Sequence, residues 1–542
     1  MKKVALQLLF ILFAFSGIAQ SALRPVAQMV NAHHNSSTAF QKVNVFAQKE
    51  AYLPLADKNP VLDKATILTL NAASLKAISN AAPQAIEFAL PSTSWGDLTL
   101  DLVKVNIFSE GFQVLSDESD GPLKFTPGAY YRGIIKGNNN SLAAISIVNG
   151  EVMGFVSSES LGNLVIGKME GINPQNKHIL YADHDLKIPA SVYCQTEDGN
   201  EPVEITDNPV AASDRAVGDC VKLWVEVDRD ITANKGSVAN ATSWITGVFN
   251  QVITLYSNET LEVGVGTIYV WAAGGNNKYT GNTSSAVLTK FKQGRASSFT
   301  GNLAILCNLK SNLGGVAAGF AGLCNSNRAN SMCFAGLQSS YANVPTYSWT
   351  IMVCTHELGH LFSSRHTHAC VWNGNNTAID GCAGGVEGSC ALPGYPSGGG
   401  TIMSYCHLQS VGINFNNGFG PQPGDKIRTG VANAGCLSAN CTPFAGNSGS
   451  RTGDGTLATD ARINLTPNPA SDKVLVDLRV TLNDGEKGVL RLFNAQGRLV
   501  YTTTFTNENT AFYLQTGQFT AGLYFVDVQT AAEKLTSSLV LN

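Results

Sequence analysis

Followed for its alternation of apolar and polar positions, the chain falls into three textures. From about residue 22 to 215, short runs of β-branched and aromatic residues, such as LTLDLVKVNIF (98–108) and SLAAISIVNGEVMGFVSS (141–158), are punctuated by turn residues. The Asn-Gly pair inside the second run is a strong hairpin signal, so the segment is predicted to be β-rich; it holds no catalytic cluster. Beyond it, strands alternate with helices. VKLWVEV (221–227) reads as a strand, and Trp244, Ile245, Val248, Phe249, Val252, Ile253 and Tyr256 then recur at helical spacing. A strand at 261–271, a shorter helix around 286–292, strands at 302–307 and 314–320, and a helix from about Ser348 to Phe362 follow. This alternation predicts an α/β sheet. The last eighty residues return to regularly spaced short strands, from KVLVDLRV (473–480) to KLTSSLVLN at the end, which predicts a small β-sandwich.

Two stretches separate these textures. NPVAASDRAVGD (208–219) is small, polar and proline-bearing, as an exposed linker that a protease could cut near Arg215 would be. FAGNSGSRTGDGTLATDA (444–461) is glycine- and serine-rich and reads as a flexible linker. The start has Lys2 and Lys3, an apolar run from Val4 to about Phe15, then the small residues Gly17 and Ala19, the pattern of a secretory signal peptide. The expected organisation is therefore a signal at 1–19, a β-rich segment at 20–215, an α/β domain at 216–441, a linker at 442–462 and a terminal β domain at 463–542. No later stretch is apolar for the ~20 residues of a spanning helix. Charged residues are 14 per cent and the net charge is −4, which leaves no footprint for nucleic acid or anionic membrane.

Twelve cysteines change the picture further. In an exported chain they read as disulfides, and a full set of pairs is the simplest count. Cys324 with Cys333, and Cys382 with Cys390, are near enough in sequence to pair locally, with connectivity left open.

The chemistry is concentrated in CTHELGHLFSSRH (354–366). Four residues apart on a helix, His356 and His360 can aim ring nitrogens at one point ~2.0–2.1 Å from each, and two neutral imidazoles with no redox-active partner favour zinc. Glu357 lies one position further round, placed to accept a proton from a water held on the metal. The bland alternative is a pair of surface histidines on an amphipathic helix. His366, ten residues after His356, makes coincidence rarer.

H-E-L-G-H-L-F-S-S-R-H, followed by GGGTIMSYCH, resembles the metzincin clan of zinc endopeptidases, and its surroundings from about 220 to 441 resemble the reprolysin (adamalysin) branch, particularly secreted bacterial members. The resemblance implies a multidomain α/β (α+β) metalloprotease with His356, His360 and His366 as zinc ligands. Glu357 would be the general base and Met403 the methionine turn beneath the metal. Ser363 stands where metzincins usually carry the glycine of a left-handed bend, and Thr367 where reprolysins often carry an aspartate, so that contact is not carried over. His368 is a rival ligand should the bend differ, and His407 reads as structural. Tyr405 sits at the spacing where astacins and serralysins carry a tyrosine that binds metal or stabilises the transition state; packing is the alternative. Metzincins commonly carry a propeptide, which makes 20–215 its counterpart and Cys194 the candidate thiolate for blocking the open coordination position. LTPNPASDKVLVDL, LRLFNAQGRLVY, FTAGLYFVDVQ and a last strand containing Lys534 resemble the sorting domain of type IX secretion, against the alternative of a carbohydrate- or partner-binding sandwich.

The function expected is thus a secreted zinc-dependent endopeptidase made as a zymogen, acting through a zinc-bound water activated by Glu357. Its partners would be protein or peptide substrates and the type IX machinery, and a monomer is expected. A zincin-like adhesion protein without turnover and a hydrolase of non-peptide amides are the alternatives. No residue pattern speaks for or against a calcium ion.

Overall fold

The computed structural model describes residues 23–187 apart from 37–38, 53–60 and 171–175, then 192–196, then 220–437 apart from 342–343 and 346, Cys441, and most of 463–541. The signal at 1–19, the cleavable stretch near Arg215 and the linker at 442–462 lie outside the described residues.

The N-terminal segment builds a ten-stranded sheet. Its hairpin Asn138–Val148 and Glu151–Ser158 turns at Asn149 and Gly150, both with positive φ (50° and 74°), as the Asn-Gly signal required. Two helices interrupt the strands that the apolar pattern predicted throughout. Pro25–His34 starts on a proline, whose fixed φ suits a first helical position, and Ala72–Ala81 is capped by Asn71, which accepts from Ser74 N.

The second sheet has six strands: β1 (Phe108–Ser116), β2 (Cys220–Val227), β3 (Glu262–Val270), β4 (Leu303–Asn308), β5 (Gly315–Ala317) and β6 (Met332–Gly336), in the order β5-β6-β4-β2-β3-β1. All pairings are parallel except that of β5 with β6. β1 comes from the N-terminal segment and completes the sheet beside β3, with Val265 opposite Phe108 and Val270 opposite Ser116.

Helices α1 (Val238–Ser257), α2 (Ser284–Arg295) and α3 (Tyr347–Leu361) pack on this sheet. The apolar face of α1 joins the main core, as its spacing predicted, but the polar face is buried too. Asn250 Nδ2 donates to Ile145 O (3.2 Å) and Ser146 Oγ (3.0 Å) on the N-terminal sheet, and a Cβ at Gly247 would collide with the Met153 thioether. One apolar cluster therefore runs through both sheets, and residues up to 445 form a single compact unit.

The local disulfides expected from spacing are not made. Cys324 joins Cys436, Cys382 joins Cys406, Cys370 joins Cys390, and Cys220 at the start of β2 joins Cys441. Cys333 is instead a fully buried thiol on β6, and Cys324, on the loop before that strand, is taken by Cys436. Nor are all twelve paired: Cys194, Cys307, Cys333 and Cys354 remain thiols, the last three in the core.

Residues 446–542 form a second unit with its own core. One antiparallel sheet contains Ile463–Thr466, Lys473–Leu478 and Ala511–Gln515, and the other Leu499–Phe505, Gly488–Asn494, Gly522–Gln529 and Lys534–Leu541. Among the described residues no helix is long and apolar enough to cross a membrane.

Candidate metal centre and active site

α3 is buried along its described length, held at its start by Trp349 Nε1 donating to Gly336 O (3.0 Å) and Thr350 Oγ1 donating to Gln338 O (2.7 Å). His356 and His360 project from one face of it. A Cβ at Gly359 would stand 2.7 Å from Met403 Sδ, so the missing side chain lets the Met403 thioether pack against α3 at this point. Two residues past the end of the helix at Leu361, Ser363 takes the left-handed conformation (φ 89°) usually left to glycine, with its N–H donating to His360 O (2.8 Å). That bend turns the chain back and brings His366, fully buried, to the other two histidines.

The tautomers follow from the partners. His356 Nδ1 faces Ile402 O (2.7 Å), His360 Nδ1 faces Ser364 O (2.9 Å) and His366 Nδ1 faces the Glu387 carboxylate (2.9 Å). Each partner only accepts, so each Nδ1 carries the proton and each Nε2 presents a lone pair. Yet Nε2 of His360 lies 3.2 Å from that of His356 and 3.1 Å from that of His366. Burial holds all three rings below the ordinary histidine range, which keeps them neutral. Three converging lone pairs with no proton between them repel unless a cation sits among them, so the donor set fits a divalent ion.

Cys194 supplies a fourth donor. Its Sγ lies 3.5 Å from His360 Nε2, and the four ligand atoms are all within 4.8 Å of one another. Three imidazoles and one sulfur suit tetrahedral zinc. Burial, and then the neighbouring Glu357, push the Cys194 thiol above its ordinary value. Glu357 Oε2 is 3.4 Å from that sulfur; burial raises the carboxyl to about 8, partly offset by contacts from Cys194 and Thr196. A Cβ at Gly315 on β5 would collide with this carboxylate.

The segment around Cys194 lies along β5. Gln195 N donates to Gly315 O (2.9 Å), Cys194 bridges Gly315 in parallel, and Ala317 N donates to Thr196 Oγ1 (2.8 Å). Tyr405 OH donates to Cys194 O (2.9 Å) and stands 3.4 Å from His366 Nε2. His407 is turned elsewhere, with Nε2 against Val192 O (3.0 Å) and its ring beside Trp349. His368 does not join the group of four; it stacks on His366 and contacts Glu387.

His356, Glu357, His360, His366, Tyr405 and Cys194 thus meet in one place, with Met403 against the same helix, while His368 and His407 stand outside the group. Two were missed. Glu387 is a lone acid in a glycine- and cysteine-rich loop, and Thr196 a lone hydroxyl in a polar stretch, so neither sits in a periodic pattern that points to the site.

Residues 219–414 match the family model described as metallo-peptidase family M12 (Reprolysin_5), and residues 464–542 match that of a secretion system C-terminal sorting domain. The latter marks the chain for export by type IX secretion, to a secreted or cell-surface location. No curated protein matches the chain. Among solved structures, OgpA from Akkermansia muciniphila is similar over 63% of this chain and 96% of its own, at 11% identity and a TM-score of 0.21. A DUF3244 family protein with an immunoglobulin-like β-sandwich fold, from Bacteroides vulgatus, is similar over 15% and 83%, at 13% identity and a TM-score of 0.13. Both TM-scores are too low to carry a fold assignment.

Proposed function

We propose that the chain, whose residues 219–414 match metallo-peptidase family M12 and whose residues 464–542 match a secretion system sorting domain, is a zinc-dependent endopeptidase made as a latent precursor, with a C-terminal β-sandwich as its sorting module. The observation that carries this is the convergence of three unprotonated Nε2 atoms beside a buried carboxylate. His356, His360 and His366 would hold the ion. Bound zinc supplies a Lewis acid that polarises the scissile carbonyl and lowers the pKa of water towards ~7.

The protein's own groups do the rest. Glu357 takes the proton of the attacking water on a carboxylate oxygen and returns it to the leaving amine nitrogen, so that water adds across the C–N bond and both products leave with balanced protons. Tyr405 OH, now donating to the Cys194 carbonyl oxygen, donates to the scissile carbonyl oxygen as charge builds there. β5 offers main-chain groups to an extended substrate, as it does to Gln195. In the precursor Cys194 fills the position that water needs, and the segment at 20–215 acts as a propeptide.

The test is cleavage of an unstructured protein such as casein by the mature form, with and without chelator, beside Glu357→Ala. Chelator-sensitive cleavage lost in the variant supports the peptidase. Zinc binding without such cleavage favours a zincin-like adhesion protein, and activity on small amides alone favours a different hydrolase.

A further inference from the structure

Two of the three histidines are oriented by neutral main-chain carbonyls, Ile402 O and Ser364 O, but the third is oriented by a charge. Glu387 presents Oε1 at 2.9 Å and Oε2 at 3.1 Å to His366 Nδ1, from 21 positions further along the chain. The residue that directly follows His366 plays no such part: Thr367 binds the Met403 carbonyl through its N–H (3.1 Å) and Oγ1 (3.4 Å).

The loop is built to hold this carboxylate in place. Glu387 N donates to His368 O (3.1 Å), Cys370 N donates to Glu387 O (2.7 Å), and the disulfide Cys370–Cys390 closes the loop three residues further on. Oε1 also meets His368 Nε2 at 3.2 Å, and the His368 ring stacks on that of His366 with centroids 4.9 Å apart and planes at 12°. The third imidazole is therefore gripped at Nδ1 and along one face, with its Nε2 left towards the other two histidines. A carboxylate at Nδ1 fixes the tautomer and the ring angle, and makes Nε2 a stronger donor than a carbonyl does.

We propose that Glu387 is the positioning residue of the third metal ligand, and that it sets how tightly the ion is held. This rests on the reading of the three histidines as a zinc site. Glu387 touches neither substrate nor reacting atoms, so its effect passes through His366.

The experiment uses the full chain loaded with zinc, challenged with a coloured chelator, in wild type, Glu387→Gln and Glu387→Ala. Zinc loss is expected to quicken about 10–100-fold in Glu387→Ala, with Glu387→Gln between it and wild type because the amide oxygen still accepts from Nδ1–H but carries no charge. The thermal midpoint of each metal-free variant is expected to match that of metal-free wild type, with only the zinc-induced increment reduced. Wild-type zinc retention in both variants would overturn the proposal, as would a drop in metal-free midpoint large enough to account for the loss. Glu387→Gln keeps the side-chain shape and both main-chain bonds, so it carries the test if the alanine variant does not fold. A wild-type chain that takes up no zinc would instead overturn the metal site itself, and is read in the same titration.

Discussion

Cutting the chain within 201–219, by a specific protease site placed there, is expected to leave two polypeptides that stay together. The N-terminal piece is tied to the rest by shared structure. β1 is an edge strand of the second sheet, Asp117 pairs with Arg229, and Asn163 bonds both Ile413 O (2.7 Å) and Phe415 N (2.9 Å). Seven large apolar side chains of the piece, Ile107, Phe108, Val114, Tyr130, Leu142, Met153 and Phe155, are buried in the cluster that also contains the core face of α1. At ~2 kcal/mol each they contribute roughly 14 kcal/mol, an upper figure because part of that burial lies within the piece itself. Net hydrogen bonds add several kcal/mol at ~1 each, against an association cost of ~4–15 kcal/mol. With a mid-range association cost of ~8 kcal/mol the balance is about 9 kcal/mol, a sub-micromolar dissociation constant. After cleavage at ten-micromolar protein, size exclusion should give one peak that denaturing gels resolve into two bands. Two separate native peaks would refute the argument. Co-elution would mean that activation requires destruction of the N-terminal piece, since one cut leaves Cys194 free to remain near the metal site.

Other outcomes can be checked more simply. Cys194→Ser should raise caseinolytic activity of the uncut chain, because a hydroxyl is a poorer zinc donor than a thiolate, while the Gln195–Gly315 contact remains; no gain over wild type would remove the latch. Tyr405→Phe in the mature enzyme should lower kcat by about 10²–10³ with little change in KM or zinc content, whereas an unchanged kcat would assign the ring to packing. His178 is buried and its Nε2 accepts from Val152 N (3.1 Å); burial lowers its pKa from 6.5 to about 4. The unfolded chain therefore takes up that proton first, so the stability is full above pH 6.5, is lost progressively as pH falls below it, and the loss is complete by about pH 4. The loss is roughly 3 kcal/mol. Urea midpoints measured from pH 7 to 4 should fall less steeply in His178→Gln, and an identical slope would contradict this.

Local chemistry was readable because local geometry decides it. Helical periodicity alone puts His356, Glu357 and His360 at one end of α3, and the Asn-Gly hairpin needs only two residues able to take positive φ. The α/β alternation of the middle segment and its resemblance to the metzincins were likewise written in stretches a few residues long. Ser363 adopting the left-handed bend depends on what surrounds it, and only the packed structure shows that the bend is kept.

What the tertiary structure decided concerns groups far apart in sequence. No periodic rule connects Glu387 to His366, or Cys324 to Cys436, because loops without repeating pattern carry one partner of each pair. The polar face of α1 looks like a solvent face, and is buried only because another sheet supplies acceptors for Asn250. β1 reads as one more strand of its own segment, since alternation specifies which face of a strand is apolar but not which neighbour will accept its main-chain bonds. Side-chain pattern is a property of the chain; the choice of partner belongs to the fold.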